Sequence, residues 1–312
     1  MVEEPSPYEE SPEQPYIVRD RSTLETLFFT AEERRLRAGW RLFIQSLILG
    51  FFVFGMQFIV RYYLYSNFPF VMNYNFYISQ GIYLVGITGS VFAARAILDD
   101  RSFRSLGLFL DAKAGRDFGV GLGISLLMAG FLFLGFWAVG WLDFQGFAWN
   151  VDVPERFTLF WFIFLVIFLT VAWQEELLFR GYWLRNVRDG LNAYWAIGLS
   201  AFVFSVFHFF NPNMSWKALV ALFLMGLFYG YALVSSRRLW LPMGLHFGWA
   251  FFRGNIFGFR VTGLRSPRLI IHQETGPAVW TGGLFGPEEG LLLLPALALG
   301  VFFVWVYTST RE

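Results

Sequence analysis

Repeated apolar runs, each long enough to cross a bilayer, are the feature that most constrains this chain. About 20 apolar residues in a helix span the roughly 30 Å hydrocarbon core of a membrane. Backbone groups find no water there, so such runs are expected to be helical. The sequence predicts an all-α polytopic membrane protein, a bundle of about eight transmembrane helices. The predicted ranges are 40–62, 76–97, 118–142, 158–181, 193–210, 216–235, 239–253 and 288–308, the seventh short, Gly-rich and therefore broken or re-entrant.

The composition agrees with lipid as the main environment and excludes several functions. Charged residues make up 15% of the chain, against about 25% in a soluble domain. The formal net charge is +1 and no run of Lys or Arg occurs, so we expect no nucleic-acid partner. The chain has no Cys, which excludes disulfides, thiolate metal ligands and a cysteine nucleophile. Any metal would have to be held by His and carboxylates.

The charge pattern predicts domain limits and an orientation. Residues 1–38 are polar and are expected to form a partly disordered cytoplasmic tail, and 39–312 the transmembrane bundle. Cytoplasmic loops carry an excess of Lys and Arg, which predicts a multi-pass protein of the cell membrane with both termini cytoplasmic. The residues that carry this prediction are Arg34, Arg35, Arg37, Arg41, Arg101, Arg104, Lys113, Arg116, Arg185, Arg188, Arg237 and Arg238. One loop disagrees, because it places Arg253, Arg260, Arg265 and Arg268 outside.

Three charged residues lie close together in the fourth predicted helix. Ionisable groups inside a membrane helix are costly and are functional by default. Glu176 and Arg180 are four residues apart, which predicts an ion pair on one helix face. Glu175 is rotated by about 100° from its neighbour and is expected to face other helices. The plainer interpretation is a structural ion pair and a stray carboxylate at the membrane surface.

Two of the three histidines fall in other predicted helices. His208 ends the apolar run 202–207, and His246 lies within 241–249. A single buried histidine is usually a core residue, but two beside a carboxylate favour a functional site. The third, His272, lies in a polar loop and is expected to be structural.

A turn at residues 189–192 would bring two of these groups to the same depth. Glu175 lies about 15 residues before this turn and His208 about 17 after it. At 1.5 Å per residue, both sit roughly 20–25 Å along the two arms of one antiparallel hairpin. Helix 4 must then continue beyond Arg180, as an amphipathic end or with a kink at Gly181.

One carboxylate and two imidazoles in a pocket are suited to activating water. Glu175 would act as the general base. Glu175, His208 and His246 could also hold a divalent metal such as zinc, whose catalytic sites use three protein ligands and a water. Alternatively, the histidines could bind the water and stabilise an oxyanion without metal. Spacing does not decide between these two.

The three motifs together resemble the CPBP intramembrane metalloproteases. Glu175-Glu176-x-x-x-Arg180, Phe204-x-x-x-His208 and His246 occur in the family's order. That family includes the CAAX prenyl endoproteases and proteins of bacteriocin processing and self-immunity, and the resemblance covers a protease-like core of about 100–265. It implies an eight-helix bundle with its site below the cytoplasmic surface. It also implies hydrolysis of a peptide bond in a membrane-anchored peptide or protein at the bilayer. The catalytic residues it implies are Glu175, Glu176, Arg180, His208 and His246.

One position departs from the family pattern. The third motif normally ends in Asn or Asp, thought to stabilise the oxyanion, and here that position is Ala250. Asn255 could replace it only if the helix breaks near Gly254, and Asn211 is another possible donor. Loss of one oxyanion donor typically costs about 10²–10³ in rate. Two alternatives therefore stay open: a weakly active or inactive scaffold or immunity protein, and a transporter or proton relay.

Overall fold

A computed structural model describes residues 22–30, 35–150 and 157–310. Much of the predicted tail, residues 1–21 and 31–34, lies outside the described residues. Each of the eight apolar runs forms a helix. The helices are α1 (Ala38–Ile59), α2 (Asn75–Ile97), α3 (Ala112–Ala138), α4 (Phe157–Gly190), α5 (Ala193–Phe207), α6 (Trp216–Ser236), α7 (Trp240–Phe251) and α8 (Leu293–Ser309).

Shorter elements join and extend these helices. Wide π-helical turns continue α1 over Val60–Tyr65, lie inside α4 over Glu176–Leu184, and follow α7 over Phe252–Ile256. Short helices cover Thr23–Phe28, Pro69–Tyr74, Phe103–Leu106, Ala278–Thr281 and Pro287–Glu289. Two strands, β1 (Leu142–Phe147) and β2 (Ile270–Glu274), complete the described structure.

The predicted all-α polytopic membrane fold is confirmed. Among the described residues, five helices are long and apolar enough to cross a membrane: Ala38–Tyr65, Pro69–Ile97, Ala112–Ala138, Phe157–Gly190 and Trp216–Ser236. α5 and α8 are shorter apolar helices, and α7 has only 12 residues. The number of eight complete spans therefore stays a prediction.

Two helix limits were predicted too far inside the apolar runs. α3 begins at Ala112, six residues before the predicted start, because the Asp111 side chain accepts a hydrogen bond from Ala114 N and caps the helix. α4 continues to Gly190, as the hairpin count requires. Asn192 then caps α5 through a hydrogen bond from Trp195 N. Capping thus extends α3 beyond the hydropathy limit, and the longer α4 is the one that the hairpin count predicts.

Contacts between loops divide the bundle into two faces. On the termini face, where α1 begins and α8 ends, Arg35 lies 3.3 Å from Asp189, and Leu239 N donates to Gly107 O. On the sheet face, β1 follows α3 and pairs antiparallel with β2, which follows α7. This division is the alternation that the sequence predicts. The face that meets the cytoplasm is a separate question and stays a prediction.

The small sheet is the element that the sequence analysis missed. Residue 142 was expected to end a helix, but Leu142 instead begins β1 opposite Glu274, with an irregularity between Phe144 and Gly146. His272 lies in β2, where its Nε2–H donates to Phe257 O at 2.8 Å. Desolvation by burial lowers the pKa of His272 to about 4. A neutral, bonded imidazole agrees with the structural role expected for it.

Helix α7 lies at the centre of the bundle. Every residue from Leu241 to Ala250 is buried, as expected for a helix that is apolar on all sides. Small residues let α3 approach closely: a Cβ on Gly121 would lie 2.7 Å from Leu241 O, and one on Gly244 would lie 2.2 Å from Phe118 O. The short α7 is therefore held by protein contacts on all sides.

Two glycines of α3 provide a test of this packing. We expect Gly121→Ala to destabilise the protein by about 1–3 kcal/mol, because the added methyl group overpacks the contact with α7. Gly123→Ala is the matched control, because a Cβ there meets nothing within 4 Å. It should be neutral or up to about 1 kcal/mol more stable through helix propensity. Thermal unfolding in detergent would measure both, and equal effects would contradict the close approach.

Candidate active site

The structure brings the residues of all three motifs together. Glu175 Oε1 lies 3.6 Å from His208 Nε2, and Glu175 Oε2 lies 3.7 Å from His246 Nε2. The equal depth predicted for Glu175 and His208 is confirmed. His208 caps the C-terminal end of α5, and His246 comes from the buried helix α7. One carboxylate therefore lies between two imidazoles from different helices.

The hydrogen bonds of the two histidines define which nitrogen faces Glu175 with a lone pair. His208 Nδ1 lies 2.8 Å from the carbonyl oxygen of Phe204, and His246 Nδ1 lies 2.9 Å from Glu176 Oε1. Both partners are acceptors, so each Nδ1 carries a proton. When the rings are neutral, each Nε2 is an acceptor, and three acceptor groups converge. A proton donor such as water, or a cation, can then bridge them.

The second glutamate orients His246. Glu176 Oε1 lies 3.3 Å from Arg180 Nη1, and both side chains are fully buried. This is the predicted ion pair. Glu175 faces other helices, as expected, since it lies against His208 and His246. Glu175 and Glu176 contact opposite nitrogens of the same His246 imidazole. The π-helical segment begins at Glu176, and such segments are frequent at functional sites.

Aromatic rings hold this ion pair and its imidazole in place. The Arg180 guanidinium lies 4.3 Å from the Phe204 ring centroid and donates to Gly226 O at 3.2 Å. Tyr229 stacks on His246 at 4.9 Å with an interplanar angle of 10°. The orientation of His246 is therefore determined on its face by Tyr229 and at Nδ1 by Glu176.

The three groups line a cavity of about 380 Å³. Its apolar wall comes from α2, α4 and α5, including Phe76, Phe168 and Phe207. Its polar atoms come mainly from Glu175, the two histidines and the loops that follow α5 and α7. An apolar pocket with a few converging polar groups is the usual form of a binding or active site.

The structure decides between the two amides considered as replacements at position 250. Ala250 is buried and lines the cavity. Asn255 is turned away from it: its side chain donates to Trp161 O, and its backbone accepts from Leu269 N. The helix does widen near Gly254, but this does not bring Asn255 to the site. Asn211 lines the cavity and is the amide that the structure leaves in reach.

A buried ion pair in the cavity wall escaped the sequence analysis. Arg253 Nη1 lies 2.6 Å from Glu288 Oε1, and both residues line the cavity. Trp249 Nε1 also donates to Glu288, and the Arg253 guanidinium lies over the Trp249 ring. The spacing gives one indication of it. Arg253 is seven residues, or about two turns, after His246, so the two share a face of a regular helix. In the predicted orientation, Arg253 counts only as a loop charge on the sheet face, whereas the structure buries it in this pair.

The donor types at the site are those found in divalent-metal sites. Two imidazoles and one carboxylate form the ligand set of several catalytic zinc sites. Both histidines bond an oxygen through Nδ1, as metal-binding histidines do. Within the described parts of the chain, however, no three His, Cys, Asp or Glu side chains form a preassembled ligand group. The donor atoms are suitable, and their arrangement is looser than that of a closed cage.

Comparison with known proteins agrees with the motifs. Residues 157–252 match the family model described as "Type II CAAX prenyl endopeptidase Rce1-like". The chain contains an Rce1-like domain. This confirms the family resemblance seen in the motifs, and it supports a CAAX-protease-like intramembrane endopeptidase in general terms. The curated proteins include no match to the chain.

The Rce1-like match contains all the residues predicted for the site. It includes Glu175, Glu176, Arg180, His208 and His246, together with Ala250, and ends one residue before Arg253. An apolar helical bundle with an Rce1-like segment fits a membrane-associated substrate and a lipid surrounding. The Arg253–Glu288 pair lies outside the match and is a feature of this chain's own cavity.

Proposed function

We propose that this protein is an intramembrane endopeptidase that hydrolyses a peptide bond in a membrane-associated polypeptide with Glu175 as general base. The observation that carries the proposal is the convergence of the Glu175 carboxylate and two histidine acceptor nitrogens in one cavity. A water molecule there can donate one proton to Glu175 and the other to the Nε2 of one imidazole. That imidazole would orient the water while the carboxylate removes a proton.

The reaction then follows in two proton transfers. Glu175 takes a proton from water as the oxygen attacks the carbonyl carbon of the peptide, forming a C–O bond and an oxyanion. The protonated Glu175 returns that proton to the amide nitrogen as the C–N bond breaks, releasing an amine and a carboxylic acid. Proton transfer by a positioned side chain contributes typically about 10²–10⁴-fold to the rate.

The oxyanion needs a donor, and two cavity residues close to the motifs in the sequence are candidates. Asn211 and Arg253 line the cavity, and each carries N–H groups. Ala250 supplies none. Arg253 is held by Glu288, so we assign the oxyanion contact to Asn211 and a supporting positive charge to Arg253.

A metal would use the same residues. A divalent ion held by Glu175, His208 and His246 would supply Lewis-acid activation of the water. Metal analysis of the purified protein, together with loss of cleavage in chelator and its recovery on adding zinc, would support that form. Full activity of metal-free protein would support the form in which the side chains act alone.

The proposal is tested with purified protein in liposomes and with peptides anchored to the same bilayer. Cleavage that depends on Glu175 supports it. Binding of the peptides without cleavage, unchanged by Glu175→Gln, would instead favour a scaffold or immunity role. Proton or solute flux that requires Glu175 without cleavage would favour a relay or transporter.

Position 250 gives a prediction of gain. Ala250→Asn should raise kcat at least tenfold if it restores an oxyanion donor, since one such donor is typically worth about 10²–10³ in rate. Ala250→Val is the matched control, because it adds volume at the same place without an N–H group. The two variants would be compared in the liposome assay, and equal rates would show that a donor at position 250 is irrelevant.

A further inference from the structure

The mouth of the cavity lies on the sheet face. Several cavity residues are exposed and mark its rim: Phe76 at the start of α2, Phe210 after α5, and Leu264 and Arg265 after α7. All of these positions lie towards the face that carries β1 and β2. No residue of the termini-face segments 98–111, 185–192 or 236–240 lines the cavity. A substrate therefore enters from the sheet-face half of the bundle.

The positive charges lie mainly on the other face. The termini face carries the clusters before α1, between α2 and α3, in the α4–α5 turn and in the α6–α7 turn. On the sheet face, the loops 66–74, 139–150 and 208–215 contain no Lys or Arg, and Arg61 and Lys217 lie at the adjoining helix ends. Short loops rich in Lys and Arg stay in the cytoplasm. The bias assigns the termini face to the cytoplasm.

The arginines that disagree with this bias have other roles in the structure. Arg253 is buried in its pair with Glu288, and Arg268 donates to the carbonyl oxygens of Gly258 and His272. Arg265 stands at the rim of the cavity. Burial lowers the pKa of Arg260 and of Arg268, as does the nearby charge of Arg265. These side chains hold the loop and the pocket, which explains their presence on the sheet face.

We propose that the Glu175 cavity opens to the non-cytoplasmic side of the membrane and takes polypeptide segments exposed there. The orientation rests on loop contacts and charge, and only the nature of the substrate rests on the proposed function. The proposed orientation reverses the expectation, implied by the family resemblance, that the site lies below the cytoplasmic surface. A lipid-modified protein that stays in the cytoplasm would then meet the closed termini face.

The absence of cysteine from the chain makes the orientation directly measurable. Single cysteines would be placed at Leu264→Cys on the rim, at Thr275→Cys after β2 and at Ser102→Cys on the termini face, all exposed positions. Intact cells carrying the full chain are treated with a membrane-impermeant maleimide before and after permeabilisation. We expect Leu264→Cys and Thr275→Cys to react in intact cells, and Ser102→Cys to react at least tenfold more after permeabilisation.

The reverse pattern would overturn the proposal, and so would equal labelling of both faces in intact cells, which would mean two orientations. Labelling in permeabilised cells measures the reactivity of each thiol and so controls for a buried one. Thr275→Cys measures the accessibility of the sheet face even if lipid shields Leu264→Cys. Repeating the labelling with Glu175→Gln separates the two proposals, because orientation does not depend on catalysis. An unchanged pattern in an inactive chain would leave the orientation standing.

Discussion

Glu175→Gln is expected to lower the rate of peptide cleavage at least a hundredfold, with the protein still folded. The amide has nearly the same size as the carboxylate but cannot take a proton from water, so the loss corresponds to the contribution of a general base, about 10²–10⁴-fold. The Glu175 side chain is partly exposed to the cavity and makes no ion pair with Arg or Lys in the described structure. The measurement is kcat on a membrane-anchored peptide in liposomes.

A second carboxylate-to-amide change controls for the first. Glu289 accepts a hydrogen bond from Ser215 on the sheet face and does not line the cavity. Glu289→Gln should therefore cleave at the rate of the unaltered protein. If Glu175→Gln also cleaved at that rate, Glu175 would not be the base and the peptidase proposal would have to be abandoned.

Arg180→Met is expected to give the largest loss of stability, about 3–5 kcal/mol, because it leaves the Glu176 carboxylate buried without its partner. The Arg180 guanidinium is fully buried, 3.3 Å from Glu176, and lies against Phe204. Arg180 is a positioning residue, since it acts on His246 through Glu176. Unfolding by denaturant in detergent would give the change in free energy, and Arg188→Met, at an exposed position, should change little.

The double variant Glu176→Gln with Arg180→Met separates the cost of an unpaired buried charge from the loss of the hydrogen bond to His246. Removing both charges avoids an unpaired buried ion, so stability should recover relative to Arg180→Met alone. The Gln amide oxygen can still accept from His246 Nδ1, and a partial return of kcat at similar KM would show that this bond orients the imidazole. Equal stability of the single and double variants would argue against a buried ion pair.

Much of the fold could be predicted because its signals are local. The apolar runs predict all eight helices, and the turn before Asn192 sets the hairpin that brings Glu175 level with His208. The i, i+4 spacing predicts the pair of Glu176 and Arg180. Each of these depends only on helix geometry and on residues close in sequence.

The remaining features depend on contacts between distant segments. β1 and β2 pair across more than a hundred residues. Neither strand is long enough to be predicted from an alternation of apolar and polar residues. The π-helical turns after Glu175 and after Phe251 follow from tertiary packing, so the direction of Asn255 could not be placed from periodicity. Glu288 was expected inside a helix but lies in the short helical turn before α8.

The burial of α7 has a consequence for the timing of assembly. At 1.5 Å per residue, its 12 residues extend about 18 Å, which is less than the hydrocarbon thickness of roughly 30 Å. Such a segment has no lipid-facing surface and is accommodated only when its neighbours surround it. We therefore expect His246 to join Glu175 late in folding. A newly made or incompletely folded chain would hold a divided site, so hydrolytic capacity would appear only with the finished bundle.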